Sequence, residues 1–276
     1  MTAKPFFIVS SGRSGTAMLV KALKAAAGIT IEHEYMVHIV QPLAVRRYQG
    51  LATAEEARAV LSSTHGAALI YAQTALWGDS SNKLSWLIPE LAALFPDARF
   101  IHLVRDGRKV ASSFFHKLAD ECYDDRSAGI LADYLYDPKR VPAPPPEKKY
   151  WWPQPKRGDP FAAEFERFDQ FQRIAWHWME VNRTIIEGLK AVPDDRRCFC
   201  RLEDLCSDRF FVAALFKFLG LPYREDYAAA FSRPHNVNRP VDTLLTPDQA
   251  EQFDWIAGGM MERLAYRGRA EYVVNY

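Results

Sequence analysis

Ser11-Gly12-Arg13-Ser14-Gly15-Thr16 brings two glycines, three hydroxyls and a permanent cation into six consecutive positions. The apolar run Phe6-Phe7-Ile8-Val9 lies just ahead of it. Behind it, Leu19, Leu23 and Ala26 fall at helical spacing, with Lys21 and Lys24 on the other side. A loop set between strand and helix aims successive backbone N–H groups at one point, and the helix dipole adds about half a positive charge there. Gly12 and Gly15 allow close approach and positive φ, Ser14 and Thr16 offer hydroxyl donors, and Arg13 offers fixed charge. The chemistry is capture of a phosphate or a similar oxyanion. This is no Walker A loop, which carries lysine directly after its last glycine, where Thr16 stands here. The plainer reading of the same residues is a tight turn with a surface arginine.

A second group has the same design. Arg99–Val104 reads as a buried strand, Arg105-Asp106-Gly107 turns the chain, and a helix runs from about Arg108 past Phe115. Arg105 ends the strand and Ser113 follows eight residues later. With both strands side by side in a parallel sheet, Arg105 and Ser113 open onto the crevice of the first loop. A guanidinium fork and a neutral hydroxyl suit a second phosphate. The plainer alternative is an Arg105–Asp106 ion pair closing the turn. The alternating segment Ile29–Glu34 ends in a third group, Glu32, His33 and Glu34, with His38 just beyond, at a strand end where a general base would stand. A parallel strand is covered on both faces, so alternation does not choose between Glu34 and His33, and a solvated strand end is the plainer account.

Other elements must position these groups. Leu69–Gln73 reads as a strand and Leu84–Phe95 as a helix. Eight of the seventeen prolines lie between Pro138 and Pro160, together with Tyr150, Trp151 and Trp152. That density forbids regular structure, while the aromatics argue against a disordered linker. Residues 120–160 therefore read as a packed lid inserted in one domain spanning 1–276, its aromatic trio either walling an acceptor pocket or packing the lid. A long amphipathic helix carries Phe165, Phe168, Phe171, Ile174, Trp178, Val181, Ile185 and Leu189. Cys198–Leu202 reads as a strand, and Phe210–Leu219 and Pro247–Tyr266 as helices. The donor-rich stretch Arg233–Arg239 could close over a nucleotide. His102 reads as a core histidine, His116 as helix surface, Trp176 and Trp178 as core, and Cys198 and Cys200 as apolar packing. The fold class is α/β, a P-loop-like three-layer arrangement with a central parallel sheet of about five strands and helices on both faces.

Composition bounds the function. The 276 residues carry 35 Lys+Arg against 34 Asp+Glu, a net charge of +1, which argues against nucleic acid as partner and leaves room for a local basic pocket. No apolar run reaches the roughly 18 residues that span a bilayer, and Phe6–Val9 is too short for a secretory signal. Four cysteines in a chain of this length form no disulfide framework. A reduced, cytoplasmic protein is expected. No cluster has metal-ligand spacing, and oligomeric state is not readable.

The two anion segments resemble those of the sulfotransferases that use 3′-phosphoadenylyl sulfate (PAPS). The stretches that carry the likeness are Gly12–Thr16 and Phe100–Ser113, with support from Asn82-Lys83, Leu91–Asp97, Arg201–Leu205 and Phe218–Pro222. The arginine in the first segment is more like the protein-tyrosine, carbohydrate and bacterial branches than the lysine form of the phenol and steroid enzymes. The resemblance implies that Gly12, Arg13, Ser14, Gly15, Thr16 and Ala17 hold the 5′-phosphosulfate and that Arg105 and Ser113 hold the 3′-phosphate. It also implies a glutamate base about twenty residues beyond the loop arginine. Glu34 fits, with His33 second. The implied reaction is sulfuryl transfer from PAPS to a hydroxyl or amine of a small-molecule or glycan acceptor, leaving adenosine 3′,5′-bisphosphate, without a metal. Competing readings are a P-loop kinase acting on a small molecule with ATP, and a catalytically silent nucleotide-binding protein.

Overall fold

The computed structural model describes residues 3–231 and 244–270. Five strands, β1 (Lys4–Val9), β2 (Ile29–His33), β3 (Leu76–Ser80), β4 (Arg99–Val104) and β5 (Arg197–Arg201), form one sheet in the order β2-β3-β1-β4-β5. Every neighbouring pair is parallel, so all five C-terminal ends share one edge. The chain crosses from β1 outward to β2 and later to β4 on the other side, and the crevice lies where that order reverses.

Side-chain alternation explains why the sheet is covered twice. Phe7, Val9, Trp77 and Phe100 point into one core, shared with the helices Val37–Tyr48, Ala54–Leu61, Ile88–Leu94 and Gln170–Leu189. Phe6, Ile8, Ile31, Ile101 and Leu103 point into the other, shared with Thr16–Lys24 and Arg209–Leu219. The three-layer α/β fold with five parallel strands is the one the sequence implies.

Several boundaries differ. Leu69–Gln73 is not a strand. Its first residues belong to the helix Ala67–Tyr71, which continues a π-turn from Ser62 to Gly66, and the strand begins at Leu76. β3 includes Gly78 and Asp79, residues poor in strand propensity that the surrounding fold overrides. Leu84–Phe95 divides into a short 3₁₀ turn, Leu84–Trp86, and the helix Ile88–Leu94, with Pro89 in its first turn. The long helix starts at Gln170, not near Phe165. Asp169 caps it and Gln172 closes the box, so the preceding Ala162–Phe165 turn is separate.

The segment 120–160 contains the helix Asp125–Tyr136, capped by Asp124, followed by proline-rich extended chain. Leu131, Tyr134 and Trp151 pack on Val45. Trp152 joins a separate core with Phe114, Tyr123 and Trp178. Gln41 Nε2 donates to the carbonyls of Lys148 at 3.0 Å and Trp151 at 2.7 Å. The segment is thus seated on the Val37–Tyr48 helix and overhangs the C-terminal edge of the sheet. Among the described residues, no helix is long and apolar enough to cross a membrane.

Candidate anion and acceptor site

At the end of β1 the chain enters the helix Thr16–Lys24 through a loop in which Gly12, Arg13 and Gly15 all have positive φ. Gly15 is held there by contact as well as by φ, since a Cβ would lie 2.4 Å from Leu202 Cδ1. At Gly12 a Cβ would meet Asn82 Nδ2 and Phe114 Cζ at 3.0 Å. The loop is stiffened from within. Ser10 Oγ accepts from Gly12 N (3.1 Å), and Ser14 Oγ donates to the Gly12 carbonyl (3.0 Å) while lying 2.9 Å from Ser11 Oγ. The Ser14 hydroxyl, expected to face a ligand, is thus engaged inside the loop in this conformation. The first-turn N–H groups of Thr16, Ala17 and Met18 have no intrahelical acceptor, by the geometry of any helix start.

The second turn meets the first. Asp106 caps the helix Gly107–Lys117 by accepting from Arg108 N (3.0 Å), and its carboxylate also takes Arg108 Nε (3.0 Å) and Nη2 (2.6 Å). Asp106 therefore pairs with Arg108 and leaves Arg105 to the crevice. Arg105 Nη1 donates to the Arg13 carbonyl at 3.2 Å, and Arg13 Nε donates to Ser113 Oγ at 3.0 Å. The expected anion residues Arg13, Arg105 and Ser113 thus meet where the two turns join. Among the described residues neither guanidinium pairs with a carboxylate. Arg105 Nε is buried without a partner. Burial, and then the neighbouring Arg105 charge, lowers the pKa of Arg13. Two desolvated like charges with an unused donor between glycine-lined walls fit a polyanion.

The segment Arg201–Leu205 buttresses both turns. Leu202 lies under Gly15, and Glu203 Oε1 accepts from Asp106 N at 2.9 Å while its other oxygen takes the Tyr266 hydroxyl at 2.8 Å.

On the β2 side, Glu34 sits one residue past the strand with φ 56° and donates its N–H to the Ser80 carbonyl at 3.1 Å. Arg13, Glu34 and Met36 are three of the six described non-glycine residues with positive φ, and all three lie at this edge. Such strain concentrates where the surrounding structure fixes a functional side chain. Lys83 Nζ donates to Glu34 Oε1 at 2.7 Å, and Lys148 Nζ from the proline-rich segment donates to Oε2. Burial pushes this carboxyl upward, but the two ammoniums outweigh it and hold the group at about 2. Burial in turn lowers the Lys83 pKa, against the support of Glu34. His33 is exposed, its Nδ1 2.8 Å from the Ser80 carbonyl. It turns to the outside of the cluster rather than into it.

Lys83, Lys148 and His177 are site residues that sequence reasoning does not single out. Lys83 follows β3, a strand the sequence disguises, so it reads as the approach to a helix. Lys148 reaches Glu34 across 114 residues of chain, a distance no local pattern reports. His177 sits on the buried face of the long helix. Its Nε2 lies 3.1 Å from the Ser11 carbonyl and its Nδ1 3.2 Å from the Tyr123 hydroxyl, which donates to the Pro153 carbonyl at 2.6 Å. Burial lowers its pKa to about 4, so the ring is neutral near pH 7. A neutral ring must keep its one proton on Nε2 to serve the carbonyl, which leaves one tyrosine proton for two acceptors. Asn82, Lys83, Trp86, Trp151, Trp152 and His177 line a partly open cavity of about 10 Å³ beside the loop, roughly one water in size. Trp151 and Trp152 thus pack and also line this cavity. His102 bonds Asn182 Oδ1 at 2.9 Å inside the core, and His116 is exposed. Cys198 and Cys200 are free thiols with sulfurs 3.5 Å apart, half-buried against the second core. Among the described residues, no three His, Cys, Asp or Glu come together as a metal site. Arg233–Arg239 lies outside the described residues.

Residues 5–134 match the sequence profile described as the sulfotransferase family. That stretch carries Arg13, Glu34, Lys83, Arg105 and Ser113, while Lys148 and His177 lie beyond it. Solved structures share the fold, among them the following three. The sulfotransferase domain of the Synechococcus PCC 7002 olefin synthase superimposes with a TM-score of 0.53 at 19% identity, covering 97% of both chains. A sulfotransferase from Alicyclobacillus acidocaldarius gives 0.53 at 15%, covering 96% of this chain and 95% of that one. The sulfotransferase domain from the curacin biosynthetic pathway gives 0.52 at 13%, covering 97% and 99%. At these identities the likeness is one of fold. No curated protein sequence matches the chain.

Proposed function

We propose, from the match of residues 5–134 to the sulfotransferase family profile and the geometry above, that this chain is a sulfotransferase that transfers a sulfuryl group from PAPS to a hydroxyl or amine of a small-molecule or glycan acceptor. The observation that carries the donor assignment is the meeting of Arg13, Arg105 and Ser113 where the two turns join, with no carboxylate partner for either guanidinium among the described residues. When bound, PAPS supplies an activated sulfur whose bond to the 5′-phosphate oxygen breaks as the acceptor oxygen bonds to it.

The residues divide the work by position. Gly12, Ser14, Gly15, Thr16 and Ala17 present the loop and the helix N-terminus to the 5′ side, and Arg13 neutralises charge accumulating on the departing nucleotide. Arg105, with Ser113, grips the 3′-phosphate. Glu34 takes the acceptor proton on Oε2. Lys83 holds Oε1 and stands beside Asn82, the residue against Gly12, so the base and the anion cradle share one wall. His33, exposed at the same strand end, is the second candidate for the base.

Thermal stabilisation tests the donor assignment. Adenosine 3′,5′-bisphosphate without Mg²⁺ should raise the unfolding temperature, and ATP with Mg²⁺ should do so far less. The reverse order would assign the loop to a kinase. Labelled PAPS with pooled acceptors, repeated on Glu34→Gln, tests the chemistry. Binding of the bisphosphate with no turnover toward any acceptor would mark a silent nucleotide-binding protein.

A further inference from the structure

The two ammoniums on Glu34 are not equivalent. Lys83 is enclosed, its side chain 6% exposed, and it is held on the side of the anion cradle. Lys148 is 42% exposed and comes from the far side, at the start of the turn Lys148–Tyr150. The backbone of that turn is held, because Gln41 donates to the carbonyls of its first residue, Lys148, and of Trp151 just after it, and His38 Nδ1 lies 3.3 Å from the Pro146 carbonyl. The movable part is the four-carbon stem of Lys148. Its ammonium stands where an acceptor arriving from solvent would meet the base.

Glu34 cannot serve as base while both oxygens are covered, since two ammonium contacts favour the ionised carboxylate and weaken its hold on a proton. Lys148 has to leave Oε2. Leaving unaided would exchange a half-buried ion pair for hydration alone. An anionic oxygen group on the acceptor, close to the reacting hydroxyl, supplies the replacement partner.

Resting on the sulfuryl-transfer reading, we propose that Lys148 is a specificity-determining residue that selects acceptors carrying a carboxylate, phosphate or sulfate beside the hydroxyl to be sulfated. The contact that recognises the acceptor also uncovers Glu34 Oε2. The acceptor oxygen then bonds to sulfur, the sulfur–oxygen bond to the nucleotide breaks with its electron pair leaving on the 5′-phosphate, and the acceptor proton passes to Oε2. Acceptor and donor are the only reactants.

The test offers labelled PAPS to pools of phenols, alcohols and sugars, each present as a carboxylic acid and as its matched amide. The wild type should label the acids faster, by about ten- to a hundredfold, the worth of one charge-assisted hydrogen bond. Lys148→Gln should bring that ratio close to one, chiefly through the KM of the acids, while Lys148→Arg should keep it. Both variants should bind adenosine 3′,5′-bisphosphate as the wild type does. Equal or faster labelling of the amides by the wild type overturns the proposal while leaving sulfuryl transfer intact, as does a ratio that Lys148→Gln leaves unchanged. Weakened bisphosphate binding in Lys148→Gln overturns it by making Lys148 a donor-binding residue. A wild type that labels no acceptor overturns the reading beneath it, and the proposal with it.

Discussion

Arg13 Nε and Ser113 Oγ lie 3.0 Å apart across one hundred residues of chain, and this hydrogen bond fastens the β1 turn to the helix that follows β4. Arg105 completes the clasp by donating to the Arg13 carbonyl. The clasp brings two cations together, an arrangement that disfavours the empty protein and favours an anion-filled one. Binding and stability are therefore opposed at this position.

Arg13→Met should expose that opposition. The variant removes a desolvated charge repelled by Arg105, so the empty protein should gain about 1 kcal/mol and melt roughly 2–4 °C higher. The stabilisation given by adenosine 3′,5′-bisphosphate should shrink, with Kd rising about ten- to a hundredfold because the phosphate no longer receives a charge-assisted hydrogen bond from this position. Paired thermal scans with and without the bisphosphate read both effects. A lower melting point for the empty variant would show that the guanidinium is already well satisfied without ligand.

Glu34 sets the acid side of the activity profile. Its carboxyl is held at about 2 in the folded protein against an ordinary 4.5, so the free enzyme keeps it ionised throughout the usual assay range. On this basis kcat/KM should show no acid limb from Glu34 above pH 4, and Glu34→Gln should lower kcat by about 10²–10⁴. An acid limb that His33→Ala abolishes and Glu34→Gln leaves in place would transfer the role to the imidazole. A depressed carboxyl pKa contributes stability that is complete above 4.5 and is lost as pH falls through 2. Glu34→Gln should therefore flatten the acid-unfolding curve between those values.

Much of this site was open to sequence reasoning because its parts are local. Phe6–Val9, the glycine loop and the Leu19/Leu23 stripe declare strand, turn and helix within twenty residues, and Arg99–Ser113 repeats the pattern. The failures follow from the same fact. β3 carries Gly78 and Asp79 where a strand would show branched apolar residues, so the stronger apolar run at Leu69 draws the assignment and hides Lys83 at the true strand end. Lys148 and His177 are defined only by folding. One lies in a segment whose prolines say what it cannot form, and the other on a helix face that reads as core.

Two buried histidines should govern stability in mild acid. Burial holds both His102 and His177 near 4, below the 6.5 of an unfolded imidazole. The unfolded chain therefore takes up protons first as pH falls from 6.5 to 4, and stability declines across that window by up to about 1.4 kcal/mol per pH unit for each ring. Denaturant unfolding at pH 7 and pH 5 measures the loss. His102→Asn and His177→Gln should each reduce the difference between the two pH values, whatever they cost at pH 7. For His177→Gln, the amide can donate to the Ser11 carbonyl and accept from Tyr123, so bisphosphate binding should survive better than in His177→Ala. An unchanged pH 7 to pH 5 difference would show that the rings titrate alike in both states.

Gly15→Ala should separate the loop's conformation from its charge. The residue has φ 86°, which costs an alanine about 1–2 kcal/mol. Its new methyl would also press on Leu202, whose Cδ1 lies 2.4 Å from the Cβ position. Leu202 begins the segment whose next residue, Glu203, accepts from Asp106 N in the second turn. Displacement should therefore reach the Arg105 side as well as the Arg13 side, although no charge has been altered. The expected outcome is a folded protein destabilised by roughly 1–3 kcal/mol, with bisphosphate affinity reduced at least as much as in Ser113→Ala. Its salt dependence should match the wild type, since every cation remains. Calorimetric titration at two ionic strengths provides the check. Affinity untouched by Gly15→Ala would mean that Leu202 yields freely and that the two turns are not coupled through it.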